Sequence, residues 1–281
     1  MKILLDGDML LFRAMSATEV EVEVYEDVWT RHSELPAARE FYWRCLNDWC
    51  EYFNVTHDDV VHCFTDASAF RRELFPEYKA NRKESKKPIG FKALRSELLA
   101  EDFAFMYSKI EADDVIGILA TQLLADGEEY VIATGDKDMN QLPGRHVWLA
   151  GKEAEEEEGL LINTFELNDE SYVIKTTTPD YSERFTYRQY LQGDSTDGIP
   201  GCKGVGEVGA RKIVEKFDLS EPVDCWETIV RTYEEAWRKA KLDVRLAPDF
   251  ALQQARLIRV LRRDEYCFDT HTVSLWNPPT H

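Results

Sequence analysis

Cationic side chains are in short supply: 34 lysines and arginines face 53 aspartates and glutamates, for a net charge of −19 over 281 residues. Taken over the whole chain, that balance speaks against a protein that coats a polyanion by charge alone. No apolar run is long enough to cross a bilayer, and Met1-Lys2-Ile3-Leu4-Leu5-Asp6 turns acidic too soon for a secretory signal. The six cysteines (Cys45, Cys50, Cys63, Cys202, Cys225 and Cys267) contain no C-x-x-C pair and no zinc spacing. They read as reduced thiols in a cytoplasmic protein. No glycine-rich loop follows the first apolar run, which excludes a nucleotide-binding loop there.

What is present is a chain long enough for a large core, as one domain or two unequal ones. Residues 2–5, 59–65, 104–107, 130–133 and 147–150 read as short buried strands. Helical periodicity marks 36–53, 92–102 and 115–124, with Phe41, Cys45, Trp49 and Tyr52 repeating on one face as core. A helix carrying Arg13 starts near Leu10. Residues 19–34 are polar and read as a loop or a short irregular insertion. His62 lies inside an apolar run and reads as a satisfied core residue. The acidic run 153–158 reads as a solvated loop, and 160–164 with 172–176 as a hairpin. Helices follow at 186–191, 223–242 and 250–263, then an extended segment at 271–276. Strands alternating with helices predict a mostly parallel α/β sheet flanked by helices, whose sites lie beyond the carboxyl ends of its strands.

Asp6, Asp66, Glu111, Asp113, Asp114, Asp136 and Asp138 all fall at such strand ends or at the helix starts after them. Any one could cap a helix. So many together would repel and raise their pKa values unless a cation neutralised them, and all-oxygen ligands suit a hard ion such as Mg²⁺ or Mn²⁺. Residues 193–217 add a second acid pair, Asp194 and Asp197, and then Gly204, Gly206 and Gly209 leading into an apolar-periodic helix. A glycine-rich turn at a helix start brings backbone N–H groups to an anion. Acids beside an anion-binding turn point to metal-assisted chemistry on a polyphosphate. The charge is also uneven: residues 71–95 hold nine basic residues against three acids, enough to hold phosphates locally.

These residues resemble the flap endonuclease (5′-nuclease) family, which includes phage 5′→3′ exonucleases and the 5′-nuclease domain of bacterial DNA polymerase I. The motifs run in the family's order from Met1 to about Phe217. They are Leu5-Asp6-Gly7, Asp66, Pro76-Glu77-Tyr78-Lys79-Ala80-Asn81-Arg82, Glu111-Ala112-Asp113-Asp114, Gly135-Asp136-Lys137-Asp138, Gly193-Asp194-Ser195-Thr196-Asp197 and Gly204-Val205-Gly206. The resemblance implies a PIN-like or resolvase-like nuclease core at 1–185 with a basic arch at 71–95. A helical DNA-binding subdomain of helix–hairpin–helix type follows at 186–281. It implies one metal centre of Asp6, Asp66, Glu111, Asp113 and Asp136, a second of Asp138, Asp194 and Asp197, and Asp114 between them. Lys79, Arg82 and Arg13 would act on the scissile phosphate, and Tyr78 would stack on a terminal base. Arg71, Arg72, Lys83, Lys86, Lys87, Lys203, Gly204, Gly206, Arg211 and Lys212 would contact DNA. Two Mg²⁺ or Mn²⁺ are the implied cofactors, with K⁺ a further candidate at the turn. Implied substrates are DNA with 5′ ends, nicks or flaps and RNA–DNA hybrids, cut by a monomer with no membrane contact.

Two departures stand out. Relatives commonly carry lysine where this chain has Val208, and residues 151–184 have no clear family counterpart. Asp8 reads as a turn or cap residue rather than a ligand. A metal-dependent ribonuclease on a similar core is disfavoured by the glycine turn. A catalytically silent DNA-binding protein is disfavoured because no expected carboxylate is lost.

Overall fold

The computed structural model describes residues 1–84, 86–149 and 158–280, and for Lys83 and Glu84 the backbone only. In chain order the elements are β1 (Lys2–Asp6), α1 (Gly7–Thr18), β2 (Glu19–Tyr25), β3 (Val28–Ser33), α2 (Leu35–Phe53), β4 (Val60–Phe64), α3 (Arg71–Leu74) and α4 (Phe91–Leu99). Then come β5 (Ala104–Met106), α5 (Ala112–Ala125), β6 (Tyr130–Ala133), β7 (Gly144–Leu149), β8 (Leu160–Leu167), β9 (Glu170–Thr177) and α6 (Pro179–Gln192). The chain closes with α7 (Glu207–Val214), α8 (Pro222–Lys239), α9 (Ala247–Ile258), β10 (Tyr266–Cys267) and β11 (Thr272–Val273).

One seven-stranded sheet runs β5-β4-β1-β6-β7-β9-β8. Its first five strands are parallel, and β9 and β8 add antiparallel at one edge. Residues 160–177 therefore complete the sheet, which gives most of the unplaced 151–184 connection a structural role. β1 is central because Ile3, Leu4 and Leu5 are apolar on both faces, as a strand covered by helices on both sides must be. α2 and α1 cover one face, where Trp49, Tyr42 and Leu10 are fully buried. α5 covers the other with Val115, Ile116 and Ile118. His62 sits in the core against the Tyr42 hydroxyl at 2.8 Å, and burial holds its pKa down at about 3.

The reading of 19–34 as a loop is corrected: it forms the β2–β3 ribbon, with nearly every side chain exposed. Glu-Val alternation carries the period of a strand, but with water on both faces no burial contrast marks it as one. Of the α2 aromatics, Tyr52 is 48% exposed and stacks on Phe165 rather than entering the core.

The boundary expected at 185/186 falls inside α6. Tyr181 and Phe185, in its first half, pack with Leu160 of β8, whereas Tyr187, Tyr190 and Leu191 belong to the helical core with Trp226, Ile229 and Tyr233. The two parts thus share one continuous helix. α9 ends at Ile258, short of the expected 263, because the chain then turns to bond Asp114 and Arg71.

Candidate active site

Asp6 ends β1 and caps α1, its Oδ1 accepting the Met9 N–H at 3.0 Å. Asp113 stands in the first turn of α5, and Asp136 and Asp138 lie just beyond β6. All four therefore lie beyond the carboxyl ends of the parallel strands β1, β5 and β6, close enough for their charges to act on one another. Thr134 donates to Asp6 at 3.4 Å, the Asp138 N–H donates to Asp136 at 2.8 Å, and Gln189 of α6 donates to Asp138 at 2.5 Å. Among the described residues none of the four is in an ion pair with a lysine or arginine.

The electrostatic consequence is direct. Burial, with the charges of Asp8 and Asp136, pushes the Asp6 carboxyl from its ordinary 3.8 up to about 7. Burial, with Asp136 and Asp194, raises Asp138 to about 7. Burial and the charges of Asp136 and Asp6 raise Asp113 well above its ordinary value. This is a layer of negative charge with no ion-paired cation: Lys79 lowers Asp113 and Lys137 lowers Asp138, but burial and the neighbouring carboxylates outweigh both.

Beside it lies a second group held in ion pairs, in which burial still keeps the Asp197 carboxyl above its ordinary value despite Lys79 and Arg82. Lys79 reaches Glu111 at 2.6 Å and Asp197 at 3.6 Å, Arg82 pairs with Asp197, and Lys137 reaches Asp194 at 3.0 Å. Burial pushes the Glu111 carboxyl up, but Lys79 and Arg71 outweigh it and hold it below its ordinary value. Burial likewise pushes Asp194 up, and Lys137 outweighs it. Asp194 and Asp197 are presented by a tight loop in which Asp194 and Ile199 bridge. The Asp194 carboxylate accepts from the N–H groups of Thr196 at 2.7 Å and Asp197 at 3.3 Å. Glu111, Asp113, Asp138, Asp194 and Asp197 line one small cavity of about 20 Å³, so the two groups adjoin.

Three expectations change, and Asp66 is held by bonds of its own. Asp114 is fully buried and saturated: Arg71 grips it with two bonds of 2.6 and 2.7 Å, and the N–H groups of Glu111 and Leu261 each donate at 3.1 Å. No lone pair is left for a metal ion, so it organises the site rather than ligating. Arg71 is accordingly buried, with further bonds to the carbonyls of Leu257 and Arg259, and is not open to DNA. Tyr78 is 3% exposed; its hydroxyl donates to Glu111 at 2.7 Å, and its ring packs in the helical core instead of waiting for a base. Asp66 is held by Ser68 and, at 2.8 Å, by the Lys109 N–H; burial pushes its pKa up, and these bonds together bring it below its ordinary value.

Asp8, a cap on the sequence reading, instead accepts from Arg95 at 2.6 Å and from the Thr65 N–H at 2.7 Å, tying α4 to the ends of β1 and β4. Sequence reasoning missed the parts played by Arg95 and Lys137, although a lysine between two site aspartates is a usable signal. Arg13, Arg72, Lys86, Lys87, Lys203, Arg211 and Lys212 are exposed as expected, and the side chain of Lys83 lies outside the described residues. At the turn Gly204 has φ +80°, Gly206 caps α7, and neither has an atom within 4 Å of where a Cβ would stand. Their backbone is open to a close approach. Among the described residues no three acidic, histidine or cysteine side chains close on one point as a finished metal cage.

The profile of the 5′-3′ exonuclease N-terminal resolvase-like domain matches residues 1–173. The exodeoxyribonuclease of Enterobacteria phage T3 is 28% identical, over 98% of this chain and 92% of its own. The 5′-3′ exonuclease of Bacillus subtilis is 31% identical, over 77% and 70%. Among solved structures, the phage T5 flap endonuclease in a pseudo-enzyme–product complex with DNA and metal ions superposes with a TM-score of 0.50. It is 16% identical, over 90% of this chain and 98% of that one, and shows the likeness of fold.

Proposed function

Because the chain belongs to the 5′-3′ exonuclease family, we propose that it hydrolyses phosphodiester bonds near the 5′ ends of DNA, at free ends, nicks and flaps. The observation that carries this reading is the unpaired carboxylate layer of Asp6, Asp113, Asp136 and Asp138. The donors fit divalent cations of the Mg²⁺ or Mn²⁺ class, being all oxygen and carrying more charge than the neighbouring lysines offset. Asp6, Asp113 and Asp136 would hold one and Asp138 with Asp194 a second, while Glu111 and Asp197 lie within reach of both groups. When bound, such cations make water nucleophilic at neutral pH and neutralise charge on the leaving oxygen.

The chain's own residues supply the rest. Lys79 and Arg82 stand beside the layer and offer charge to the phosphate as it gains negative charge in the transition state. Tyr78, Arg71 and Asp114 fix Glu111, and through it the Lys79 ammonium. Arg13, Arg72, Lys86 and Lys87 form a basic approach for the strand that carries the 5′ end. The turn at Gly204 and Gly206, with Lys203, Arg211 and Lys212, holds duplex by its phosphates without reading sequence. Phosphate recognition of this kind admits an RNA strand in a hybrid. Every residue invoked lies in one chain, so a monomer suffices, and cytoplasmic DNA is the natural substrate.

The test uses end-labelled blunt duplex, nicked duplex, 5′ flap and RNA–DNA hybrid, with Mg²⁺ and after exhaustive chelation. Release of short products from the 5′ end, only with the ion present, is expected. Full activity after chelation, or products released from the 3′ end, would refute the reading.

A further inference from the structure

A groove of about 760 Å³ opens between the glycine turn, the end of α7 and one face of α8. Gly204 and Val205 of the turn form one wall, and Thr228, Thr232, Glu235 and Lys239 of α8, at helical spacing, form the other. The threonine hydroxyls are spent on their own helix, donating to the carbonyls of Asp224 and Thr228. The remaining donors on the walls are three exposed lysines, Lys203, Lys216 and Lys239. Among the described residues none of the three is in an ion pair, whereas Arg211 nearby pairs with Glu215. In a chain of net charge −19, three unpaired cations converging on one groove against the single acid Glu235 form a local positive site. The floor, with Ile213 and Phe217, carries no exposed aromatic face on which an unpaired base could stack.

We infer that this groove is a second phosphate-binding track, in which Lys216 and Lys239 take the sugar–phosphate backbone of the duplex that the glycine turn grips. The inference rests on the reading of that turn as a duplex anchor and extends it. Lys203 belongs to both, so the track is continuous with the turn. Lysine suits this role because its stem tolerates an apolar wall while its head stays in water to meet a phosphate as a point charge. The track makes the length of the duplex arm a determinant of substrate choice. An arm too short to pass the turn does not reach Lys216 and Lys239, whereas a longer one does.

The test is binding of 5′-flap DNA to the full chain in Ca²⁺, by fluorescence anisotropy over a range of salt. One substrate carries a duplex arm of half a helical turn and the other an arm of two turns. Each phosphate contact contributes about 0.9 to the slope of log affinity against log salt, so the Lys216→Ala, Lys239→Ala double variant should lose about 1.8 on the long arm. It should match wild type on the short arm and in cleaving single strands, and the double arginine variant should restore the slope. Both lysines are exposed, so folding is not at stake. An unchanged slope on the long arm, or an equal loss on both arms, would overturn the inference and leave the groove to a protein partner. If the slope falls as stated while wild type cuts nothing in Mg²⁺, the duplex track stands and the hydrolytic reading fails. Cleavage with an unchanged slope removes the track alone.

Discussion

Replacing Asp6 by asparagine should make the metal-free protein more stable while removing its activity. Asp6 is 5% exposed, and burial with the charges of Asp8 and Asp136 moves its pKa from 3.8 to about 7. At about 1.4 kcal/mol per tenfold step, that move corresponds to roughly 4 kcal/mol. The sign follows from proton uptake. Between pH 4 and pH 7 the folded state keeps a proton on Asp6 that the unfolded state has lost, so stability falls as pH rises across that window and levels off above it. The asparagine side chain cannot ionise, and its Oδ1 can still accept the Met9 N–H. The variant should escape most of the loss, gaining on the order of 2–4 kcal/mol at pH 8, or several degrees in Tm for a chain of this size. Thermal melts in EDTA from pH 5 to pH 9 measure it. Wild type should lose Tm up to pH 7 and regain it with Mg²⁺; the variant should be flatter on both counts. A wild-type Tm independent of pH in EDTA, or an Asp6→Asn protein less stable than wild type at pH 8, would refute the electrostatic account of the layer.

Lys79→Ala should slow single-turnover cleavage by about 100- to 1,000-fold, with affinity in Ca²⁺ changed far less; a loss confined to affinity would make Lys79 a simple phosphate contact. Arg71→Leu strands Asp114 without its partner in the core and should cost about 3–5 kcal/mol in urea denaturation. The Arg71→Leu, Asp114→Leu double variant should recover much of it, and a single variant as stable as wild type would contradict the buried pair. Gly193→Ala would place a Cβ 2.4 Å from the Ile199 carbonyl oxygen at φ +71°, so the loop presenting Asp194 and Asp197 must move and cleavage of every substrate should drop. Gly206→Val places its Cβ where no atom lies within 4 Å and should fold normally, losing only cleavage of duplex-bearing DNA; an unchanged ratio of duplex to single-strand cleavage would make the turn a mere hinge.

The sequence alone determined the parallel sheet, because buried parallel strands need apolar residues on both faces, and runs such as Ile3-Leu4-Leu5 and Val131-Ile132-Ala133 admit little else. It also determined where the carboxylates lie, since a polar residue ending such a run falls at the strand's carboxyl end. The β2–β3 ribbon was not legible, because a ribbon wet on both faces leaves no pattern of burial. Nor could spacing tell a metal ligand from a structural acid: Asp113 and Asp114 are neighbours in the chain, but the rotation of about 100° between successive helix residues points the first into the unpaired layer and the second onto Arg71. Tyr78 looked like a stacking aromatic within a basic segment, and only the packing of α6–α9 around it buried the ring. The three groove lysines are scattered between positions 203 and 239. Only the fold of α7 against α8 puts their charges in one place, because that depends on contacts between segments distant in sequence, which no local pattern encodes.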